Sequence, residues 1–210
     1  MSDSSIGDRQ GIREKHFGLD WAPPTFNLGL SPKRIFEAHL RHRKGEKLER
    51  TDFPEAMYIF AEGNWKRCGD LFTAGTFYAI KGKLAEVLKN FDLGEGGLIE
   101  FPIYAADKTT QLPGPFYLLN FGAIKDSFVP SKSKKLYSRR TVENDGYERW
   151  ATYRLEDGDI AVTAAALGGA DLWFERKLEF KIFMSGRLHD AILAAKVKTK
   201  FQFAKAQIID

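Results

Sequence analysis

The chain has 210 residues, 43% hydrophobic and 13% aromatic, which is ample for a packed interior and excludes a disordered chain. A single Cys excludes an intrachain disulfide and cannot supply a Cys-based zinc site alone. The net charge of +4 is mild, and its excess is central: residues 71–140 carry 10 basic and 6 acidic side chains, while both flanking thirds nearly balance.

Residues 1–10 lack the basic-then-apolar start of a secretory signal, and no apolar run approaches the ~18 residues that span a bilayer. The expectation is a cytoplasmic protein with Cys68 reduced. Residues 1–30 read as an irregular arm, with Pro23-Pro24 disfavouring helix and Trp21, Phe26 and Leu28 as anchors. Ser31-Pro32 is a helix start and Lys44-Gly45 a helix end, with Ile35, Phe36, His39 and Leu40 on one face. A strand is expected over 76–80. A helix over 82–90 follows, with Leu84, Val87 and Leu88 inward, then a Gly-rich turn at 93–97. Residues 98–104 read as a strand broken by Pro102, and 116–121 as another, with Ile124 as its outer limit. Residues 129–145 read as a basic, polar connection. Strands are expected at 150–155, 160–165 and 172–175, with Asp157-Gly158 as a hairpin turn between the first two. A strand over 178–184, a helix over 186–195 capped by Ser185, and a strand over 199–208 close the chain.

Gly82-Lys83-Leu84 and Gly186-Arg187-Leu188 open the two C-terminal helices alike, which marks a weak strand–helix–strand pseudo-repeat. The fold class is therefore α+β, a mixed or antiparallel sheet with a few short helices packed on it. The expected organisation is an arm and basic helix over 1–60 and an α+β domain over 61–210.

The residue types that carry chemistry are sparse. His39 and His42 lie three apart on a helix, but Arg41, Arg43 and Lys44 surround them and no ligand carboxylate follows, so they read as a basic face. Cys68 has basic neighbours but no base to activate it. The carboxylates at 156–159 fit a turn better than a metal site. Gly94-x-Gly96-Gly97 follows a helix and precedes a strand, the reverse of a phosphate-binding loop. No catalytic residue, metal site or cofactor is expected. Exposed Trp, Tyr and Arg anchor protein interfaces. The candidate partner-binding residues are therefore the basic loop Lys132, Lys134, Lys135, Arg139 and Arg140, with Tyr147, Arg149 and Trp150, and Trp173, Glu175 and Arg176.

The order of segments resembles one bacterial family. It runs from Phe77-Tyr-Ala-Ile-Lys-Gly-Lys-Leu-Ala-Glu-Val-Leu88 to Leu93-Gly-Glu-Gly-Gly-Leu-Ile-Glu-Phe-Pro-Ile103. Phe116-Tyr-Leu-Leu-Asn-Phe-Gly-Ala-Ile-Lys-Asp126, the 180–193 strand–Ser–helix unit and Thr199-Lys-Phe-Gln-Phe203 follow. The family is that of the myxobacterial-type immunity proteins of polymorphic toxin systems, formerly a domain of unknown function. Two departures stand out: Phe128-Val129-Pro130 occupies the place of the family's second acidic residue, and residues 1–60 have no counterpart. The resemblance implies a non-enzymatic cytoplasmic protein that binds a cognate toxin domain in a stoichiometric complex and occludes its active site. The rival expectations are a small α+β enzyme using Asp126 and Arg154, or a nucleic-acid-binding module using residues 33–50 and 125–140. A membrane partner is not expected.

Overall fold

Short apolar runs separated by turn residues fold here into several small sheets rather than one large one. The computed structural model describes residues 12–15, 32–139 and 148–210. In chain order the elements begin with β1 (Ile12–Lys15), α1 (Pro32–Arg43), β2 (Ala56–Ile59), α2 (Glu62–Arg67), β3 (Leu71–Ala74), β4 (Phe77–Lys81) and α3 (Gly82–Leu88). They continue with β5 (Gly97–Glu100), β6 (Ile103–Tyr104), β7 (Phe116–Asn120), β8 (Ile124–Lys125), β9 (Leu136–Arg139) and β10 (Arg149–Thr152). The last are β11 (Ala161–Thr163), β12 (Leu172–Glu175), β13 (Ile182–Met184), α4 (Gly186–Ala195) and β14 (Gln207–Ile209).

The four-stranded sheet, in the order β3-β4-β7-β5, is antiparallel throughout. Two three-stranded sheets, β1-β2-β6 and β13-β12-β8, each combine one antiparallel and one parallel pairing. β9 pairs antiparallel with β10, and β11 parallel with β14. The class is α+β, as the sequence implies.

Pro102 does more than break a strand. Residues before it join the four-stranded sheet as β5, and residues after it join β2 as β6, so one apolar run serves two sheets. Gly96 and Gly122 cross so closely that a Cβ on either would overlap backbone of the other segment. The Gly-rich turn is therefore shaped by this crossing. Asn120 ends β7 and holds the chain after α1 to the sheet: its side chain accepts from the Leu48 amide and donates to the Leu48 carbonyl, both at 2.9 Å.

The first core cluster unites Ile12, Ala38, Leu48, Phe53, Met57 and Ile59 with Phe72, Phe77, Phe101 and Leu118. A boundary at residue 60, expected from the sequence, would cut through it. The second cluster lies where α3 and α4 pack together, burying Leu84, Leu88, Leu188 and Ile192. Each such side chain contributes about 1.5–3 kcal/mol when fully buried.

Four expectations need correction. α1 turns Ala38 and His42 inward and leaves Phe36 exposed, because the buried face is set by contact with β4 and the Phe53 region. Residues 129–145 are not only connection, since they contain β9. The Asp157-Gly158 turn forms, with Gly158 at φ +80°, but the strands flanking it do not pair with each other, because β10 finds β9 and β11 finds β14. Finally, 199–208 is mostly not strand: Phe201 and Phe203 stack at 5.3 Å and pack on the second cluster, and only β14 pairs. The Ser31 cap and the anchors Trp21, Phe26 and Leu28 lie outside the described residues.

The internal repeat is present with a different unit, a strand–strand–helix headed by Asp. Asp70-Leu71-Phe72 opens the first copy and Asp171-Leu172-Trp173 the second. In each, the Asp carbonyl accepts from the residue just before the helix, Lys81 at 2.9 Å and Ser185 at 2.8 Å. In each, the Asp carboxylate reaches across to the segment beyond the other copy's helix: Asp70 to the Lys198 amide at 3.0 Å, and Asp171 to the Asp92 amide at 3.1 Å.

Candidate partner-binding cleft

The C-terminal turn of α1 carries Arg41, His42 and Arg43, and Gly45 at φ +84° ends it. A Cβ at Gly45 would lie 2.6 Å from the Phe174 ring, so this close approach seats the end of α1 directly on β12. β12 continues through Glu175 to Arg176. The chain then turns sharply at Phe180, which adopts φ +60°, a rare backbone state for a bulky residue. That turn delays the expected 178–184 strand, which begins only at Ile182, and leaves the Phe180 ring 40% exposed.

The Phe180 ring lies between two guanidinium groups, Arg43 at 4.2 Å and Arg139 at 5.1 Å from its centre. Arg139 also pairs with Glu179 at 3.3 Å. Around this ring opens a cleft of ≈ 190 Å³ lined by Leu40, Arg43, Lys44, Glu46, Ile124, Arg149, Phe174, Glu175, Arg176, Leu178, Glu179 and Phe180. Its lining thus holds four basic and three acidic residues among apolar ones, with Arg149 and Glu175 buried in its wall. At the β9–β10 ribbon, exposed Tyr137 and Tyr153 meet with their rings tilted and their centres 4.8 Å apart. Exposed aromatics interleaved with Arg are the composition of an interface anchor.

Apart from Trp150 and Trp173, which belong to the third core cluster, the residues singled out from the sequence fall into three groups. Arg139, Arg149, Glu175 and Arg176 converge on the cleft or its rim. Lys132 and Lys134 are exposed but do not line it, and Lys135 is engaged elsewhere, 2.7 Å from Glu156 and 2.8 Å from Asp159. Arg140 and Tyr147 lie outside the described residues.

Three of the candidates are structural rather than exposed. Trp173, Glu175 and Arg149 are buried at 5%, 3% and 7% exposure. The Glu175 carboxylate is filled by the amides of Ser127 and Phe128, the Ser127 hydroxyl and Trp173 Nε1. The Trp173 ring is covered by Lys125 Nζ at 3.6 Å, which also donates to the carbonyls of Ala166 and Ala170. Arg149 Nη1 donates to the Arg176 carbonyl, at 2.9 Å. Half-buried Trp150 packs on the third core cluster. β12 is buried along its whole length, and a buried side chain cannot serve as a surface anchor.

Sequence reasoning missed Arg43, Lys44 and Phe180 as site residues. The run 41–44 reads as a solvated helical face, and nothing local marks Phe180 as a turn residue. The other candidate chemistries resolve into packing. His42 is fully buried among the rings of Phe53, Phe77, Tyr78 and Phe121, and its Nε2 accepts from the Tyr78 amide at 3.1 Å. Burial, with the neighbouring His39 and Arg43, holds it neutral, pushed down to about 3. Burial likewise pushes the Cys68 thiol up, away from thiolate. Asp126 pairs with Lys177 at 2.9 Å, and neither it nor Arg154 lines the cleft. Among the described residues no group of three His, Cys, Asp or Glu side chains is placed to hold a metal ion. No helix there is long and apolar enough to cross a membrane. No family model and no curated protein matches the chain.

Proposed function

We propose that this protein is a toxin-neutralising immunity protein, which binds the catalytic domain of a cognate secreted toxin in a stoichiometric complex and occludes its active site. The observation that carries the reading is the Phe180 ring held between Arg43 and Arg139 at the mouth of the cleft. The order of segments from Phe77 to Phe203 supports it. A basic cleft with an aromatic centre suits an acidic, partly apolar surface, with charge setting the encounter rate and the ring supplying buried area. Such a protein acts by complementarity and works in the cytoplasm, where the toxin would act.

Coexpression with the toxin domain encoded beside its gene tests this. A complex at micromolar concentration is expected. Arg43→Glu and Arg176→Glu should each weaken it by about tenfold or more, mostly in association rate, without altering the melting temperature. Absence of a complex between the purified pair at micromolar concentration refutes the reading.

A second reading, a single-stranded nucleic-acid module, draws on the same cations and exposed ring. Glu46 and Glu179 in the cleft oppose it. Binding of an oligonucleotide that weakens steeply with salt would favour it over the first.

A further inference from the structure

On the other side of the repeat, the first copy carries a pocket that the cleft does not share. It has a volume of ≈ 440 Å³, within the ~300–1,000 Å³ range of small-molecule sites. Its walls include Ile59, Trp65, Leu112, Pro113 and Phe116, and Lys81 reaches into it. Lys81 Nζ rests 3.5 Å from the centre of the Trp65 ring. Among the described residues no carboxylate lies within ion-pair distance of it: Glu62 and Lys66, which also line the pocket, pair with each other at 3.7 Å, and Asp70 accepts from the Lys198 amide. Burial lowers the Lys81 pKa and the nearby Lys198 adds to this, although Cys68 and Asp70 oppose it.

The position itself is informative. Lys81 is the N-cap of α3 and makes no capping bond from its side chain. Lys is a poor cap, and a cation at a helix N-terminus opposes the dipole. At the equivalent place in the second copy stands Ser185, which caps α4 by accepting from the Leu188 amide at 3.2 Å and donates to Asp171. The fold can therefore place a stabilising residue here, and the first copy instead spends the position on a cation in an apolar pocket.

We propose that this pocket binds a small carboxylic acid with an apolar or aromatic body. The carboxylate takes the free donors of the Lys81 ammonium, and the body lies against Trp65, Leu112 and Phe116. This stands apart from toxin binding, since the cleft and the pocket have no lining residue in common.

The test titrates the full chain with 3-phenylpropionate and, separately, its neutral counterpart 3-phenylpropan-1-ol, by calorimetry and ligand-observed NMR. The acid should bind about tenfold or more tightly than the alcohol. Lys81→Met should abolish that preference while alcohol binding persists, and Lys81→Arg should keep it. Equal affinity of acid and alcohol for the unaltered protein, or no binding of the acid at about 10 mM, overturns the proposal. So does an undiminished acid preference in folded Lys81→Met. If Lys81→Met does not fold, the acid–alcohol comparison on the unaltered protein decides. No toxin is needed, so this result and that of the toxin experiment are independent.

Discussion

Replacing Glu175 by Gln keeps the shape of the side chain and changes one carboxylate oxygen into an amide nitrogen. In the protein Glu175 is 3% exposed. One oxygen accepts from Trp173 Nε1 at 2.9 Å and from the Ser127 hydroxyl; the other accepts from the Ser127 and Phe128 amides at 2.8 and 3.1 Å. Glutamine can accept at only one of these positions. With the NH2 group at the first position, the Ser127 hydroxyl can turn to accept from it, but the buried Trp173 Nε1–H is left facing a donor. That hydrogen bond to a charged acceptor is lost, at about 1.5–3 kcal/mol, and the remaining ones are made to a neutral group. Folded domains typically hold ~5–15 kcal/mol in total. In a chain of this size each kcal/mol moves the melting temperature by about 2–4 °C, so a fall of at least ~3 °C is expected. Urea unfolding followed by circular dichroism, with calorimetry beside it, reads both quantities. Ser127→Ala, which removes one donor to the same carboxylate and strands nothing else, should cost a similar amount, about 1.5–3 kcal/mol. A Glu175→Gln protein with an unfolding midpoint equal to that of the unaltered chain would refute the reasoning. If it also bound the toxin more weakly, Glu175 would be a recognition group after all.

The remaining expectations concern charge. His42 is held neutral in the fold, near 3 rather than 6.5, so the unfolded chain alone binds its proton in between. Its stabilising effect is complete above 6.5 and falls by ~1.4 kcal/mol per pH unit below that value until about 3. His42→Gln should remove that slope from urea midpoints measured between about pH 6.5 and pH 5, and an unchanged slope would count against it. Burial pushes the Asp171 carboxyl up, but hydrogen bonds from Arg187, Ser185 and the Asp92 amide outweigh it and hold it below 3.8. The stability it lends is thus present above 3.8 and lost as pH falls through its lower folded value. Asp171→Asn should cost about 1.5–3 kcal/mol at neutral pH. Arg187→Ala should cost less, because Ser185 and the Asp92 amide still donate to Asp171 and water can take the place of the guanidinium, whose side chain is 73% exposed; the reverse order in urea midpoints would contradict this account.

Much of this fold is written in local patterns, and the exceptions share one cause. The helix at 186–195 is readable to the residue, because Ser185 caps it and its stripe of Leu188 and Ile192 has the helical period. Leu84 and Leu88 mark α3 in the same way. β2 went unread: Ala56 to Ile59 is buried throughout and so shows no alternation, and it follows a polar stretch with Pro54. Phe201 and Phe203 alternate like a strand yet pair with nothing, because alternation reports one buried face and not a hydrogen-bonded neighbour. The cleft was half legible. Arg139 and Arg176 stand out as charges, but their meeting with Arg43 depends on Gly45 seating α1 on Phe174, a contact between residues 129 positions apart. Trp173 and Glu175 misled because an aromatic–charged string reads the same at a surface as around a buried carboxylate.

The two copies of the Asp-headed unit explain how one small fold can offer two different surfaces. Each Asp is tied both to its own helix start, through its carbonyl, and to the segment beyond the other copy's helix, through its carboxylate. The two helices are thus fixed against each other by bonds at both ends of their contact, besides the apolar packing between them. With the junction fixed in this way, residues that follow the common plan are constrained and those that depart from it are free to serve something else. The departures fall where the candidate sites are. Position 81 is Lys where the second copy has the capping Ser185. The link between the paired strands is also unequal: it is the short Gly75-Thr76 turn in the first copy, and the longer turn carrying Arg176, Glu179 and Phe180 in the second. The cleft is therefore built on the longer hairpin of the second copy, and the Lys81 pocket lies where the first copy has no capping side chain.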